Sequence, residues 1–104
     1  METISTDELA THKAENDVIL VDVLSREHFE DSHIPGAINI PMDHVAEKAP
    51  DLFTKNQKIV VYCADTECGA SVQAAETLEE HGFEHVMDYE AGKDGWESAG
   101  HHLE

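Results

Sequence analysis

Two cysteines, Cys63 and Cys68, are the residues of this chain best suited to covalent chemistry. Cys63 directly follows the apolar run 59–62, where a buried strand should end and a helix should begin. Backbone N–H groups and the positive end of a helix dipole at such a junction favour thiolate over thiol. We therefore interpret Cys63 as a nucleophile. The alternative is an inert thiol that closes the strand, because cysteine is among the most buried residue types.

The loop that follows Cys63 is expected to wrap its backbone amides around the sulfur, with Gly69 supplying conformational freedom. Asp65 and Glu67 would oppose a thiolate unless their side chains point to solvent. Ser71 is predicted at a helix N-cap, where its hydroxyl bonds a backbone amide or reaches Cys63. The predicted active-site loop comprises Ala64, Asp65, Thr66, Glu67, Cys68, Gly69, Ala70 and Ser71.

Cys68 admits two interpretations. A disulfide requires Cα atoms roughly 4.4 to 6.8 Å apart, which a curled loop provides and a regular helix or strand does not. As a resolving thiol, Cys68 would attack a persulfide or oxidised Cys63, release sulfide and leave a disulfide. As a packing residue it would fill the interior of the loop, and the sequence favours this second interpretation. Zinc is not expected, because the cysteines and scattered histidines lack paired ligand spacing.

Alternating strand and helix patterns predict one domain over residues 1–104. A capping box at Ser5 opens a helix, and Gly82 ends another. Asp43 is expected to cap a helix that Pro50 breaks or restarts. Predicted strands cover 18–23, 37–40, 59–62 and 85–89, and predicted helices cover 6–15, 25–31, 43–49, 71–81 and 95–99. This alternation is typical of a three-layer α/β sandwich with a mainly parallel sheet, and it leaves the strand order open.

Asp22 ends the first of these buried strands. A carboxylate at that place is expected to accept hydrogen bonds from nearby loop amides. We assign Asp22 a supporting role and not a catalytic one.

The charge balance is strongly acidic, with 6 basic against 23 acidic residues and a net charge of −17. Such a surface repels nucleic acid and anionic membranes, and it suits a basic protein partner, simple solvation or a salt-rich cytoplasm. No apolar run is long enough to span a bilayer, and residues 1–5 lack the features of a secretory signal. A cytoplasmic location is expected, where paired cysteines more often indicate chemistry or metal than a structural disulfide.

Four segments together resemble rhodanese-like domains over nearly the whole chain. His33-Ile34-Pro35-Gly36-Ala37 resembles the specific N-terminal signature of that family, and Ile59 to Cys63 resembles its catalytic strand and nucleophile. The other two segments are residues 20–23 and residues 74–100. The resemblance implies a five-stranded parallel sheet flanked by helices. It also implies sulfur transfer through a persulfide on Cys63.

The chain departs from the family pattern in its active-site loop. The loop is about two residues longer than the common form, and Ala70 stands where an arginine usually precedes the serine. Leu24 replaces another frequent arginine. A loop with two carboxylates and no cation should repel an anionic donor such as thiosulfate. The phosphatase and arsenate-reductase branches of the fold are disfavoured, since they need an arginine to hold an oxyanion.

The sequence therefore predicts a sulfurtransferase. Cys63 would take sulfur from a small-molecule or protein-borne sulfane-sulfur donor and pass it to a thiol or another nucleophile, with no metal or organic cofactor. Two alternatives stay open. One is a thiol–disulfide redox or sulfide-releasing protein that uses Cys63 and Cys68. The other is a non-catalytic rhodanese-like binding or sensor module.

Overall fold

A five-stranded, all-parallel sheet forms the centre of the computed structural model, which describes all of residues 1–104. The strand order is β1-β5-β4-β2-β3, so β4 lies in the middle. The carboxyl ends of parallel strands meet at one edge, where α/β proteins place their sites. Cys63, directly after β4, therefore lies at the middle of that edge. The strands are β1 (Glu2–Thr3), β2 (Ile19–Asp22), β3 (Ile38–Asn39), β4 (Lys58–Tyr62) and β5 (His85–Tyr89).

Helices cover both faces of the sheet. One core cluster of 13 buried residues lies under α3 and α4, and a second of 9 residues lies under α1 and α5. This arrangement confirms the predicted three-layer α/β class. No helix is both long and apolar enough to cross a membrane. The helices are α1 (Thr6–Glu15), α2 (Arg26–Asp31), α3 (Val45–Leu52), α4 (Ala70–Glu80) and α5 (Gly92–Ser98), with a 3₁₀ turn at Met42–His44 before α3.

The central strand β4 has a continuous apolar sequence because both of its faces are buried. Ile59 and Val61 project into the cluster under α3 and α4, whereas Val60 and Tyr62 project into the cluster under α1 and α5. All four are fully buried. A strand covered on both faces has no polar side, so alternation disappears from its sequence.

Side-chain caps define the starts of α1 and α2, as predicted. The Ser5 side chain accepts from the Glu8 amide at 3.1 Å, and Glu8 accepts from the Ser5 amide at 2.9 Å. This reciprocal pair is the expected capping box. Ser25 likewise accepts from the amide of His28 at the start of α2. These bonds satisfy N–H groups that the first helical turn leaves free.

The predicted helix that carries Val45 and Ala49 is present as α3, but two details predicted for it were wrong. Asp43 does not cap a helix, because a 3₁₀ turn in which the His44 amide donates to the Pro41 carbonyl leads directly into α3. Pro50 neither breaks nor restarts the helix but lies inside its last turn. The missing N–H of Pro50 removes one backbone bond of the helix, and only Asp51 and Leu52 follow it before the helix ends.

The larger remaining differences from the prediction concern α4, α5 and β1. Gly69, not Ser71, is the N-cap of α4, because the cysteine loop turns back early and the helix begins at Ala70. α5 begins at Gly92 instead of residue 95. The short strand β1 was not predicted, since two exposed residues carry no periodic pattern and only pairing with β5 defines them.

Candidate functional site

Cys63 is buried, with 1% of its surface exposed, and it belongs to the core cluster under α3 and α4. Its position follows from the alternation along β4, where Val61 faces the same cluster. The chain then leaves the sheet as a loop and re-enters regular structure at α4. The sulfur is thus held between the end of the central strand and the start of a helix, as the sequence predicts.

Most backbone amides between Cys63 and the first turn of α4 donate no hydrogen bond within the chain. Only those of Glu67 and Cys68 are bonded, both to Asp65. The free amides beyond Cys63 belong to Ala64, Asp65, Thr66, Gly69, Ala70, Ser71 and Val72. Unpaired N–H groups at a helix N-terminus carry partial positive charge. The segment can therefore stabilise negative charge on a sulfur atom next to it.

The structure brings Cys68 to Cys63. Their Cα atoms are 6.2 Å apart and their sulfur atoms are bonded, within the separation that a disulfide requires. A turn holds this geometry, since the Cys68 amide donates to the Asp65 carbonyl at 3.3 Å. The Asp65 carboxylate accepts from the Glu67 amide at 3.0 Å. Cys68 is half-buried. This proximity permits a disulfide, and Cys68 also packs against the core cluster under α3 and α4.

Gly92 and the two residues after it contact the start of the cysteine loop. The sequence did not predict these contacts. The amide of Lys93 donates to the Cys63 carbonyl at 3.1 Å, and that of Asp94 donates to the Ala64 carbonyl at 2.9 Å. Gly92 has φ +64°, and a Cβ atom there would lie 2.5 Å from the Cys63 carbonyl oxygen. The signal in the sequence was a glycine at the join of a strand and a helix, where a close backbone approach is common.

Asp22 lies on the opposite face of the sheet, paired with the residue that precedes Cys63. Its carboxylate accepts from the Tyr62 hydroxyl at 2.8 Å and from the Leu24 amide at 2.9 Å. The Tyr62 hydroxyl in turn accepts from the Ile34 amide at 3.0 Å. The predicted loop-amide contact of Asp22 is therefore present. Through Tyr62, this network can fix the end of β4.

Burial governs the acid–base properties of that pair. Desolvation raises the pKa of Asp22 above its ordinary value, and the hydrogen bonds from Leu24 and Tyr62 oppose the shift. Burial, with the neighbouring Asp22 charge, raises the pKa of Tyr62 far above its ordinary value. Tyr62 therefore keeps its proton and acts as a hydrogen-bond donor to Asp22.

Asp88 is a second buried carboxyl, on the same face as Cys63. It pairs with Val61 across the sheet and is fully buried, and neither of its side-chain oxygens has a hydrogen-bond partner. Burial raises its pKa, and the neighbouring charge of Glu90 raises it further. The sequence analysis assigned Asp88 only to a strand. A lone aspartate inside an apolar strand was the available signal.

The loop contains no lysine or arginine, and the one lysine of α5 is engaged in other hydrogen bonds. The ammonium of Lys93 donates to the carbonyl and hydroxyl of Ser32, at 3.0 and 3.2 Å, and to the His28 carbonyl at 3.3 Å. Lys93 thus ties α5 to the end of α2. The loop itself presents Asp65 and Glu67, of which Glu67 is exposed. The entrance to the site is acidic.

A surface groove of about 390 Å³ lies elsewhere, beside the chain terminus and the amino ends of β4 and β5. It contains Lys58 and His85 and none of the predicted site residues. No group of three or more His, Cys, Asp or Glu side chains is placed to hold a metal ion.

Comparison with known proteins gives a consistent result. The profile of the rhodanese-like domain matches residues 5–99. The HTH-type transcriptional regulator Rv0324 of Mycobacterium tuberculosis is 34% identical over 99 residues, covering 95% of this chain and 43% of that protein. The thiosulfate sulfurtransferase PspE of Escherichia coli is 40% identical over 76 residues, covering 71% of this chain and 70% of that protein.

Among solved structures, the Alr3790 protein of Anabaena sp. superimposes with a TM-score of 0.90 at 28% identity. The superposition covers 97% of this chain and 79% of that one. This chain spans less than half the length of the first curated relatives that it matches.

Proposed function

Because the chain belongs to the rhodanese-like domain family, we propose that it transfers sulfane sulfur through a persulfide on Cys63. One observation carries the proposal. Cys63 follows the central strand and precedes a run of backbone amides that bond to nothing else in the chain. Such donors favour both the attacking thiolate and the persulfide anion that replaces it.

The reaction has two balanced half-reactions. The Cys63 thiolate attacks the outer sulfur of a donor R–S–SH, forms a sulfur–sulfur bond and displaces the thiolate R–S⁻. The acceptor nucleophile then attacks the outer sulfur of the Cys63 persulfide and releases the Cys63 thiolate. No electrons are gained or lost overall, and neither half-reaction requires a metal or an organic cofactor.

The acidic residues of the loop limit the kind of sulfur donor that the site can accept. Thiosulfate brings two negative charges to a loop that carries Asp65 and Glu67 and no cation. Lys93 does not compensate, because Ser32 and His28 engage its ammonium. We therefore propose a neutral or protein-borne persulfide as the donor. A net charge of −17 would favour a carrier protein with a basic surface, in a cytoplasm that keeps thiols reduced.

A second candidate function is a sensor module without turnover. The similarity to a transcriptional regulator over 95% of this chain favours it. In that case, Cys63 would react once with a sulfur species and alter a partner contact. The two candidates differ in turnover, so a steady-state assay with excess donor and acceptor separates them.

The proposed donor class can be tested by introducing a positively charged side chain into the loop. Ala70 is half-buried and directly precedes Ser71, so Ala70→Arg would place a guanidinium at the rim of the loop. We expect this variant to raise kcat/KM for thiosulfate by about tenfold or more, since a charge-assisted hydrogen bond contributes about 1.5–3 kcal/mol. Its kcat/KM for glutathione persulfide should change much less.

Ala70→Gln is the matched control, with similar size and no charge, and Cys63→Ser is the inactive reference. Equal thiosulfate activity in the wild type and Ala70→Arg would contradict the assignment of the donor class. Sulfur transfer that survives Cys63→Ser would contradict the mechanism itself.

A further inference from the structure

Resting on this proposed function, we infer a second activity in which the loop releases sulfide by closing a Cys63–Cys68 disulfide and is reopened by a dithiol that attacks Cys68. The site would then act as a persulfide reductase as well as a sulfur carrier. The inference depends on the geometry of the loop and on the unequal exposure of the two sulfur atoms.

The loop is built so that the two cysteines meet. The turn from Asp65 to Cys68 reverses the chain and leaves the Cα atoms of the cysteines 6.2 Å apart. β4 ends before this turn and α4 begins after it, so the turn that joins the two cysteines belongs to neither element. Only six residues form the ring, from Cys63 to Cys68. Reversible closure is therefore possible within the folded domain.

Sulfide release follows from attack within this ring. The Cys68 thiolate attacks the inner sulfur of the Cys63 persulfide, and the bond between the inner and outer sulfur breaks. A Cys63–Cys68 disulfide forms and HS⁻ departs. The outer sulfur gains two electrons and becomes sulfide, while the two cysteine thiols together lose two electrons.

Exposure decides how the disulfide is reopened. Cys63 is 1% exposed, whereas Cys68 is half-buried and lies next to the exposed Glu67. In the disulfide-bonded form, Cys68 is the more accessible of the two cysteines to an external thiolate, and the sulfur that is reached determines the product. Attack at Cys68 expels the Cys63 thiolate beside the unbonded amides, where a negative charge is favoured. Cys63 is thereby returned in its nucleophilic form.

The co-reactant is a dithiol, written R′(SH)₂. Its first sulfur bonds to Cys68, and its second sulfur then attacks this mixed disulfide, expels the Cys68 thiolate and closes the oxidised dithiol. The net reaction is R–S–SH + R′(SH)₂ → R–SH + H₂S + R′S₂, in which sulfur and hydrogen atoms balance. A monothiol would stop at the mixed disulfide until a second molecule arrived.

The first experiment is a single turnover of the reduced full chain with glutathione persulfide and no added reductant. We expect the wild type to release about one equivalent of sulfide above the rate without protein, and its mass to fall by two hydrogen atoms. Cys68→Ser should instead retain one added sulfur atom and release little sulfide. Cys63→Ser should take up no sulfur. Cys68→Ala repeats the comparison without a hydroxyl.

The second experiment needs no variant. The oxidised wild type is treated briefly with excess glutathione and alkylated, and peptide mapping then locates glutathione and the alkylated thiol. We expect glutathione on Cys68 and the alkyl group on Cys63. Glutathione on Cys63 would overturn the proposed direction of reopening.

The outcomes separate this inference from the proposed function. If both the wild type and Cys68→Ser hold a stable added sulfur and neither releases sulfide, sulfide release is refuted and sulfur transfer on Cys63 stands. If neither protein takes up sulfur, both proposals are refuted.

Discussion

Gly92 and Cys63 approach each other so closely that a single added carbon atom would collide. A Cβ on Gly92 would lie 2.5 Å from the Cys63 carbonyl oxygen and 2.7 Å from the Ala64 carbonyl carbon. The amides of Lys93 and Asp94, which follow Gly92, donate to those same two carbonyl groups. The start of the active-site loop therefore rests on the start of α5. The geometry of Cys63 depends on a residue far away in sequence.

Gly92→Ala should destabilise the fold and distort the loop that begins at Cys63. A side chain at φ +64° is strained, and the added carbon would meet backbone atoms that cannot give way. We expect a loss of about 1–3 kcal/mol in the free energy of unfolding, measured by urea denaturation. We also expect a lower rate of Cys63 alkylation in the folded protein. Gly69→Ala is the control inside the loop, because nothing lies within 4 Å of its Cβ position. Equal stability of the two variants would contradict this view of α5.

Tyr62→Phe should destabilise the fold, because it leaves two buried polar groups without a hydrogen-bond partner. It removes the hydroxyl that donates to Asp22 and accepts from the Ile34 amide, both buried. Leaving a buried polar group unpaired costs about 1–3 kcal/mol. Tyr89→Phe is the matched control, since it loses one bond to the half-buried Thr6. Thermal unfolding should rank the variants as wild type, Tyr89→Phe and Tyr62→Phe. The reverse order of the two variants would refute the role assigned to this network.

Asp88→Asn should change how stability depends on pH. The folded-state pKa of Asp88 lies above its unfolded value, chiefly because of burial. Its stabilising effect is therefore fully present below the unfolded pKa of about 3.9 and is lost as pH rises through the folded pKa. The neutral amide has no such loss. The free energy of unfolding of Asp88→Asn relative to the wild type should rise between the unfolded and the folded pKa of Asp88 and level off above the folded pKa.

Urea denaturation at several pH values measures this difference. Asp51→Asn, at an exposed position in α3, serves as the control and should show a smaller trend. A difference between Asp88→Asn and the wild type that stays constant with pH would mean that Asp88 does not titrate in this way.

Added salt should stabilise the protein. With 23 acidic and 6 basic residues, repulsion between surface carboxylates opposes folding, and salt shortens its range to about 8 Å at 0.15 M. We expect the melting temperature to rise with KCl at neutral pH. A flat or falling melting temperature would show that the acidic surface is already compensated.

The elements that local chemistry specifies were predictable from the sequence. The capping box at Ser5 and the cap at Ser25 gave correct helix starts because each is a contact within one turn. The buried runs in β4 and β5 gave correct strands. The helix start at Ala70 depends on the turn of the preceding cysteine loop, whereas the start at Gly92 was misplaced because contacts distant in sequence define it. The strand order was open for the same reason, as strand pairing is a long-range property.

The position of the candidate site was predictable from the sequence, and the contacts that support it were less so. Cys63, the unbonded loop amides and the contact of Asp22 follow from residue type and from position at a strand end. Gly92 and Asp88 are near Cys63 only because β5 pairs with β4. Likewise, residue spacing alone allowed Cys68 either to pack or to pair. The turn at Asp65 permits the pairing, and Cys68 also packs against the core cluster under α3 and α4.

The central claim, that Cys63 carries the transferred sulfur, is tested most directly by the mass of the protein after loading. Cys68→Ser and the double variant Cys63→Ser, Cys68→Ser are treated with glutathione persulfide, desalted and analysed intact and after digestion. We predict one added sulfur atom on the peptide that contains Cys63 in the single variant, removed by an added thiol acceptor. We predict no addition in the double variant. Equal sulfur uptake by the two proteins, or a single variant that takes up none, would contradict the account.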